Sequence, residues 1–351
     1  MRCFNALRRQ AISNTEASID SRQTELKHWL ERIEALAGTD MRPASTDASF
    51  RRYFRLRSSA KSFIAMDAPP PQEDCLPFVR IAGYLEAMGL NAPRIVEADL
   101  ERGFLLLTDL GSTQYLERLR AVPEEADELY GDAITALVTM QSRGAAYQAM
   151  LPPYDTDLLE FELSLFHDWL CGTHLDIEFS SGEEEQWRDT CSLLIQNALD
   201  QPQVFVHRDY HSRNLMVTAD HKPGMLDFQD AVEGAFTYDL VSLLKDCYIR
   251  WPASRVREWA EQFYTGVAAN TRAQVSMEQF IRYFELMGVQ RQLKAAGVFA
   301  RLNHRDGKPA YLGDIPRTLS YIVELEPRYD ELAFLIDMIR GRCLPAFEGD
   351  S

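Results

Sequence analysis

The chain has 351 residues, of which 46% are hydrophobic and 26% are charged, a composition typical of a globular protein with an ample core. Its formal net charge of −16 argues against a general nucleic-acid-binding or anionic-membrane surface, although a local basic pocket remains compatible with it. Six cysteines without a Cys-x-x-Cys pair predict reduced thiols, mostly in the core, and argue against a disulfide scaffold or a zinc site.

The N-terminal residues show no targeting signal. Residues 1–10 are interrupted by Arg and Asn, unlike a signal peptide, and no apolar run approaches the length of a membrane span. We therefore expect a cytoplasmic protein with no membrane or nucleic-acid partner. Residues 1–24 are polar and without periodicity, so we expect a poorly structured leader there.

Residues 25–110 predict a small lobe built on a sheet. Apolar residues at helical spacing indicate a first helix over 25–36. The following segments alternate as strands do, apart from one helical stretch: strands at 51–56 and 62–66, a helix at 76–88, and strands at 95–99 and 104–108. The turn Asp109-Leu110-Gly111 then predicts a hinge at 107–111.

Residues 111–351 predict a helical lobe. From Thr113 onward the apolar spacing is helical, and only short β-type runs interrupt it. These predicted strands are 204–206, 215–217 and 225–228. An amphipathic helix is predicted to open at Tyr238-Asp239-Leu240, where it could hold the preceding loop from below.

One loop in this second lobe carries the most informative motif of the chain. His207, Asp209 and Asn214 have the spacing His-x-Asp-x4-Asn, and Asp227-Phe228 follows thirteen residues after the Asn. Kinase-type phosphoryl transfer requires this spacing, because it needs an aspartate to orient the attacking hydroxyl and oxygen ligands for a metal. We assign Asp209 to the hydroxyl and its proton, and we expect His207 to brace the loop of this catalytic motif.

The metal that suits these residues is Mg²⁺. Asn214 offers a neutral oxygen and Asp227 a charged one, and two protein oxygens suit an ion that keeps several waters and also binds phosphate. The alternative interpretation is a loop of satisfied polar residues between strands. The flanking β-type runs favour the catalytic interpretation.

These residues resemble a known family. Residues 207–217, 226–231 and 238–240 are similar to the aminoglycoside phosphotransferase and choline kinase superfamily. Three further stretches, 47–55, 66–70 and 301–308, resemble the bacterial cell-wall amino-sugar kinases within it. The resemblance covers the chain from about Leu26 to its end.

The resemblance implies a fold and an activity. The fold is α+β and protein-kinase-like, with a small antiparallel-sheet N-lobe and a mostly helical C-lobe. The activity is ATP- and Mg²⁺-dependent transfer of a phosphate to the anomeric (C1) hydroxyl of N-acetylmuramate or N-acetylglucosamine, in peptidoglycan recycling. The implied partner is therefore a small amino sugar.

In such a fold the nucleotide sits between the small sheet and the hinge. The candidate residues share that location: Ser49, Phe50, Arg52, Lys61, Thr108, Asp109 and Leu110. Most relatives have a Lys on the third strand that pairs with a Glu on the next helix, but here residues 64–67 contain no Lys and Phe78 stands near the position of the Glu. Losing both partners replaces an ion pair by packing, so another cation, Arg52, Arg55 or Lys61, must neutralise the phosphates.

Candidate substrate residues flank the motif or lie near the C-terminal end of the chain. They are His211, Arg213, Gln229, Asp230, Glu233, Arg301 and Arg305. Each is also compatible with a loop-bracing contact or a solvated helix end. The basic members favour an anionic or uncharged acceptor over a polycationic aminoglycoside, and a lactyl carboxylate would give them a partner.

Two other functions stay open at this stage. The acceptor could be another small alcohol, such as an aminoglycoside, choline or homoserine. The chain could also be a nucleotide-binding regulatory module without turnover, since the usual Lys and Glu are absent.

Overall fold

The structure is a computed structural model that describes residues 21–33, 36, 39–46, 50–57, 61–220, 222–326 and 328–347. By its internal contacts the chain divides into two compact units. Unit 1 comprises residues 1–82 and 93–110, and unit 2 comprises residues 83–92 and 111–351.

Unit 1 contains an antiparallel sheet of five strands in the order β1-β2-β3-β5-β4. Its elements are helix α1 (residues 21–31), β1 (Met41–Thr46), β2 (Arg52–Arg57), β3 (Ser62–Asp67), β4 (Ile95–Asp99) and β5 (Phe104–Thr108). Apolar residues of α1, among them Leu26 and Leu30, pack against Phe54 and Leu106 of the sheet to form its core. Helix α2 (Leu76–Ala87) leads from unit 1 into unit 2.

The remaining α-helices lie in unit 2. They are α3 (Tyr115–Ala121), α4 (Ala126–Gly144), α5 (Thr156–Leu165), α6 (Ser181–Leu199), α7 (Tyr238–Leu244), α8 (Ala253–Gly266), α9 (Ala269–Gln274), α10 (Met277–Asp306), α11 (Ile315–Val323) and α12 (Ala333–Met338). Wider π-helical turns continue α5 over Phe166–His174 and α12 over Ile339–Cys343. Short 3-10 turns cover Pro123–Glu125, Gln148–Met150, Pro309–Asp314, Asp330–Leu332 and Leu344–Phe347. The long helix α10 packs on α5, α6, α7 and α11 and forms the centre of the unit.

Two short strand pairs interrupt these helices. Strand β6 (Gln203–Val206) pairs antiparallel with β9 (Val232–Ala235), and β7 (Leu215–Met216) pairs antiparallel with β8 (Gly224–Met225). The loops that carry the motif connect these strands. No helix in the described part of the chain is long and apolar enough to cross a membrane.

Several predicted elements differ from the structure. The predicted strand over 225–228 is wrong in its C-terminal half, because β8 ends at Met225 and Asp227 has a left-handed backbone (φ 61°). Strands β1 and β9 were not predicted, and α1 includes residues 21–24, where no structure was expected. The helix predicted to be amphipathic, α7, is buried along its whole length. Strands β4 and β5 have the predicted bounds.

Candidate active site

The motif lies in a loop that leaves β6 and enters β7, within unit 2. The backbone N–H of Leu226 donates to the carbonyl oxygen of Asn214 at 2.9 Å. This bond joins the end of the motif loop to the segment that carries Asp227. The two segments named from the sequence are therefore in direct contact.

Asp239, in the first turn of α7, holds the start of this loop. Its carboxylate is fully buried and accepts hydrogen bonds from the backbone N–H groups of His207 and Arg208, at 2.7 and 2.9 Å. A buried backbone N–H needs an acceptor, and this carboxylate serves two. Burial raises the pKa of Asp239 to about 7 in spite of these bonds.

His207 lies under the loop, where a bracing residue was predicted. Its side chain is fully buried, and its Nδ1 accepts from the backbone N–H of Asp209 at 3.3 Å. Burial lowers the pKa of His207 to about 4, so the ring is neutral at physiological pH.

Asp209 is partly exposed and faces a group of cations. Burial would raise the pKa of this carboxyl, but the charges of Lys294, His211 and Arg291 together hold it below its ordinary value. Asp209 is therefore an ionised carboxylate, which can accept a hydrogen bond from a hydroxyl and then its proton.

The residue before Asp209 has an unusual backbone. Arg208 has a left-handed backbone (φ 76°), an uncommon conformation for a residue with a side chain. Its guanidinium pairs with the buried carboxylate of Glu162. The strained residue thus anchors in the interior and leaves Asp209 accessible.

Glu162, on α5, is the centre of a buried polar network. Its carboxylate also accepts from Tyr154, from Nζ of Lys294 at 2.8 Å and from Nε2 of Gln290 at 3.1 Å. Burial would raise the pKa of Glu162, but the charges of Lys294 and Arg208 hold it below the ordinary value. This network supports the loop from the side of α10.

The proposed metal ligands lie together. Nδ2 of Asn214 is 3.4 Å from Oδ2 of Asp227 and donates to the carbonyl oxygen of Asp209 at 3.0 Å. Nε2 of Gln229 donates to Oδ1 of Asp227 at 2.8 Å. No group of three or more His, Cys, Asp or Glu side chains in the described residues is arranged to hold a metal ion. One carboxylate and one amide fit Mg²⁺ that takes its other ligands from phosphate and water.

The candidate substrate residues fall into separate groups. His211 and Arg213 both lie against Tyr248, with the His211 ring 5.4 Å from the Tyr248 ring. Gln229 is buried, whereas Asp230 is exposed and accepts from Nε2 of Gln229 at 3.2 Å.

The other three candidates lie further along the chain. Glu233 is on β9, where it accepts from Gln148 at 3.1 Å. Arg301 and Arg305 lie in the last turns of α10, and the exposed Arg305 pairs with its neighbour Asp306 at 2.9 Å.

The candidate nucleotide residues lie in unit 1, and most have protein partners there. Phe50 is 67% exposed, and its backbone N–H donates to Glu73 at 3.1 Å. Arg52 bonds the buried carboxylate of Asp67, with Nε at 3.0 Å. Lys61 is exposed at the start of β3. Ser49 lies outside the described residues.

The three hinge candidates are also in unit 1. Thr108 accepts from the backbone of Arg94 at 2.9 Å. Asp109 forms a two-pronged ion pair with Arg55, at 2.7 and 3.1 Å. Leu110 is half-buried and is the last residue of the unit.

Sequence reasoning missed Glu162, Lys294 and Arg291, although they surround the loop. A signal was present on the long helix α10, where Gln290, Arg291 and Lys294 are polar residues among many buried apolar ones. Polar residues at such buried positions usually have specific partners. Glu162, the shared partner of Gln290 and Lys294, is more than a hundred residues away in sequence, so the spacing alone could not identify this contact.

Comparison with known proteins identifies the family of the chain. A family model described as "Phosphotransferase enzyme family" matches residues 40–277. The N-acetylmuramate/N-acetylglucosamine kinase of Pseudomonas aeruginosa is 45% identical over 337 residues, covering 92% of this chain and 97% of the relative. The kinase of the same name from Pseudomonas putida is 48% identical, covering 91% of this chain and 96% of the relative.

Solved structures show the same fold at low sequence identity. An ADP-bound aminoglycoside phosphotransferase superposes with a TM-score of 0.56 at 14% identity, covering 85% of this chain and 97% of that one. The predicted two-lobed α+β fold and the family resemblance are therefore confirmed. Since the family model spans more than half of its length, the chain belongs to the phosphotransferase enzyme family.

Proposed function

We propose that this enzyme is a cytoplasmic, ATP- and Mg²⁺-dependent kinase that phosphorylates the anomeric hydroxyl of N-acetylmuramate, N-acetylglucosamine or both, in peptidoglycan recycling. The observation that carries the proposal is its identity of 45% and 48%, over almost the whole chain, with two kinases named for these sugars. The geometry around Asp209 supports a transfer to a hydroxyl.

The chemical step assigned to the protein is proton removal. Asp209 orients the C1 hydroxyl and accepts its proton as the sugar oxygen bonds the γ-phosphorus and the bond from that phosphorus to the β,γ-bridging oxygen breaks. The hemiacetal hydroxyl is more acidic than an ordinary alcohol, so one carboxylate suffices. Because neighbouring cations hold Asp209 ionised, it is ready to accept the proton without prior deprotonation.

Asn214 and Asp227 would hold Mg²⁺ in this proposal. The ion, when bound, supplies charge neutralisation of the phosphates. Gln229 holds one oxygen of Asp227 and thereby fixes the direction of the carboxylate. The side chain of Asn214 donates to the backbone carbonyl of Asp209, the proposed base. This bond positions the proposed metal ligand and the proposed base relative to each other.

Phosphorus NMR tests the proposal. The purified protein is incubated with Mg-ATP and each sugar, and Asp209→Ala serves as the control. An anomeric sugar-phosphate signal that is absent in the variant supports the proposal. If neither sugar gives a signal, choline, homoserine and aminoglycosides are tested as acceptors. Transfer to one of them would identify another acceptor, whereas ATP binding without transfer to any of them would indicate a regulatory module.

A further inference from the structure

Arg213 has an unusual environment for a cation in a catalytic loop. Its guanidinium carbon lies 4.1 Å from the centre of the Tyr248 ring and 5.6 Å from that of Tyr311. The Tyr311 ring in turn stacks on Phe299 at 5.6 Å. Within the described part of the chain, no carboxylate lies within ion-pairing distance of Arg213.

Nearby arginines differ from Arg213 in this respect. Arg317 pairs with Asp314 at 2.6 Å and donates to the carbonyl of Cys247 at 2.8 Å. Arg250 also lies over a tyrosine ring, that of Tyr321, at 4.8 Å. However, it forms an ion pair with Glu324, the residue at the C-terminal end of α11. Tyr248 holds the guanidinium of Arg213 both under its ring and through a side-chain hydrogen bond, and the N–H groups that this bond does not use are left for a ligand.

A second polar side chain contacts the same tyrosine. The Nδ1 of His211 is buried without a hydrogen-bond partner among the described residues, and the side chain is only 8% exposed. Its ring packs edge-to-face against the same Tyr248, with 5.4 Å between ring centres. Buried polar atoms of this kind are normally satisfied, so an acceptor or donor from a ligand would complete the group.

The position of Arg213 in the loop limits which ligand that is. It is the residue before Asn214 and the fourth after Asp209, so its backbone is fixed relative to the proposed base by the bond from His211 to Asp209 (3.0 Å) and from Asn214 to His211 (2.9 Å). A sugar whose C1 hydroxyl meets Asp209 carries its C3 substituent only two ring carbons away. In N-acetylmuramate that substituent is a lactyl ether with a carboxylate, whereas N-acetylglucosamine has a neutral hydroxyl.

We propose that Arg213, held by Tyr248 and Tyr311, is the carboxylate-binding residue that selects the acidic sugar over the neutral one. The inference rests on the proposed function and adds the source of its selectivity. A guanidinium binds a carboxylate through two parallel hydrogen bonds, and a preordered one loses little freedom on binding. His211 completes the subsite through its buried ring nitrogen.

The test compares kcat/KM for both sugars in the wild type, Arg213→Gln and Arg213→Lys. We expect Arg213→Gln to lower kcat/KM for N-acetylmuramate by about 10- to 100-fold, mainly through KM, as for a lost charge-assisted hydrogen bond. N-acetylglucosamine should stay within about threefold, since its KM does not involve a carboxylate. Arg213→Lys should fall between, because lysine keeps the charge but not the fork.

Two controls separate selection from other roles. Arg250→Gln, a change in a tyrosine-stacked but ion-paired arginine, should leave the ratio of the two sugars unchanged. The methyl ester of N-acetylmuramate, which lacks the charge, should be a poorer substrate than the acid for the wild type but an equal one for Arg213→Gln. An equal loss for both sugars in Arg213→Gln, or no loss for either, overturns the inference. Failure of the wild type to phosphorylate either sugar refutes the proposed function instead, and the subsite with it.

Discussion

Replacing Glu162 by Gln tests the charge network that supports the catalytic loop. The carboxylate has 2% of its side chain exposed, and its cationic partners Arg208 and Lys294 have 18% and 17% exposed. Removing one partner of a buried ion pair leaves a charge without compensation and costs about 3–5 kcal/mol. Gln keeps the shape and one acceptor oxygen, so we expect a loss near the lower end, about 3 kcal/mol of unfolding free energy.

Urea unfolding measures this loss. Glu331→Gln is the matched control, since Glu331 pairs with Arg282 at 2.7 Å but both side chains are about two-fifths exposed, and an exposed pair contributes at most about 1 kcal/mol. The double variant Glu162→Gln/Lys294→Met removes one of the two unmatched cations. It should therefore recover part of the stability lost in the single variant.

Activity gives a second measure of the same network. Arg208 precedes Asp209 and reaches Glu162 from a left-handed backbone, so releasing it lets the proposed base move. A displacement of about 1 Å can cost about 100-fold in rate. We therefore expect kcat to fall, with only a small change in the KM for ATP. A stability of Glu162→Gln within about 0.5 kcal/mol of wild type, the range of ordinary surface substitutions, would refute the reasoning.

Three further predictions concern metal binding, pH and packing. Asp227→Asn should raise the Mg²⁺ concentration needed for half-maximal activity by about 10-fold or more, measured by titration, and unchanged Mg²⁺ dependence would exclude Asp227 as a ligand. His207 has a pKa of about 4 when folded against about 6.5 when unfolded; the unfolded chain binds this proton first, so the contribution of His207 to stability should fall by up to about 3 kcal/mol as pH drops from about 6.5 to 4. The raised pKa of Asp239 acts in the opposite direction, so the measured quantity is the difference between the denaturation curves of the wild type and His207→Gln over this pH range. An added Cβ at Gly297 would lie 2.3 Å from the backbone carbon of Leu165, so Gly297→Ala should cost about 1–3 kcal/mol. The exposed helical Gly83 has open space around it, so Gly83→Ala should instead stabilise by up to about 1 kcal/mol, and equal thermal shifts for the two glycine variants would contradict the packing argument.

The motif loop could be proposed as a site from the sequence because its residues lie close together along the chain. His207, Asp209, Asn214 and Asp227 fall within 21 consecutive residues, and the strands around them have β-type sequences. The loop-supporting Asp239 also lies close by in sequence. In contrast, Glu162 meets Arg208 across 46 residues and Gln290 across 128. Such contacts depend on how α5 and α10 pack, which no spacing in the sequence records.

The missed strands have a physical explanation too. Strand β1 lies at the edge of its sheet and contains Pro43, and proline is tolerated at an edge but lowers any strand prediction. Strand β9 is four residues long and contains Gly234 and Glu233. Its pairing with β6 fixes its position. The glycine also allows Tyr154 to pack closely, because a Cβ on Gly234 would lie 3.1 Å from that side chain. In both cases tertiary contacts override a weak local preference.

Unit 1 has apolar packing where a lysine and glutamate pair would be expected from the resemblance. The middle of β3 is closed by fully buried Ala65 and Met66, and Phe78 of α2 is 4% exposed, so apolar packing occupies that part of the unit. Because burying an ion pair often contributes no more stability than well-packed apolar groups, the exchange is physically reasonable.

The three candidate cations of unit 1 differ in whether they already pair with a carboxylate. This difference indicates which of them could replace the missing lysine. Arg52 shares the buried Asp67 with Arg22, and Arg55 is committed to Asp109. To reach a nucleotide, Arg55 would have to leave the largely buried Asp109 without this ion pair, at a cost of several kcal/mol, and Arg52 would have to give up its share of Asp67. Lys61 is exposed and has no carboxylate within ion-pairing distance among the described residues, so it can bind phosphate without that cost. Of the three cations considered from the sequence, Lys61 is therefore the one to substitute first, and its loss should weaken ATP binding more than sugar binding.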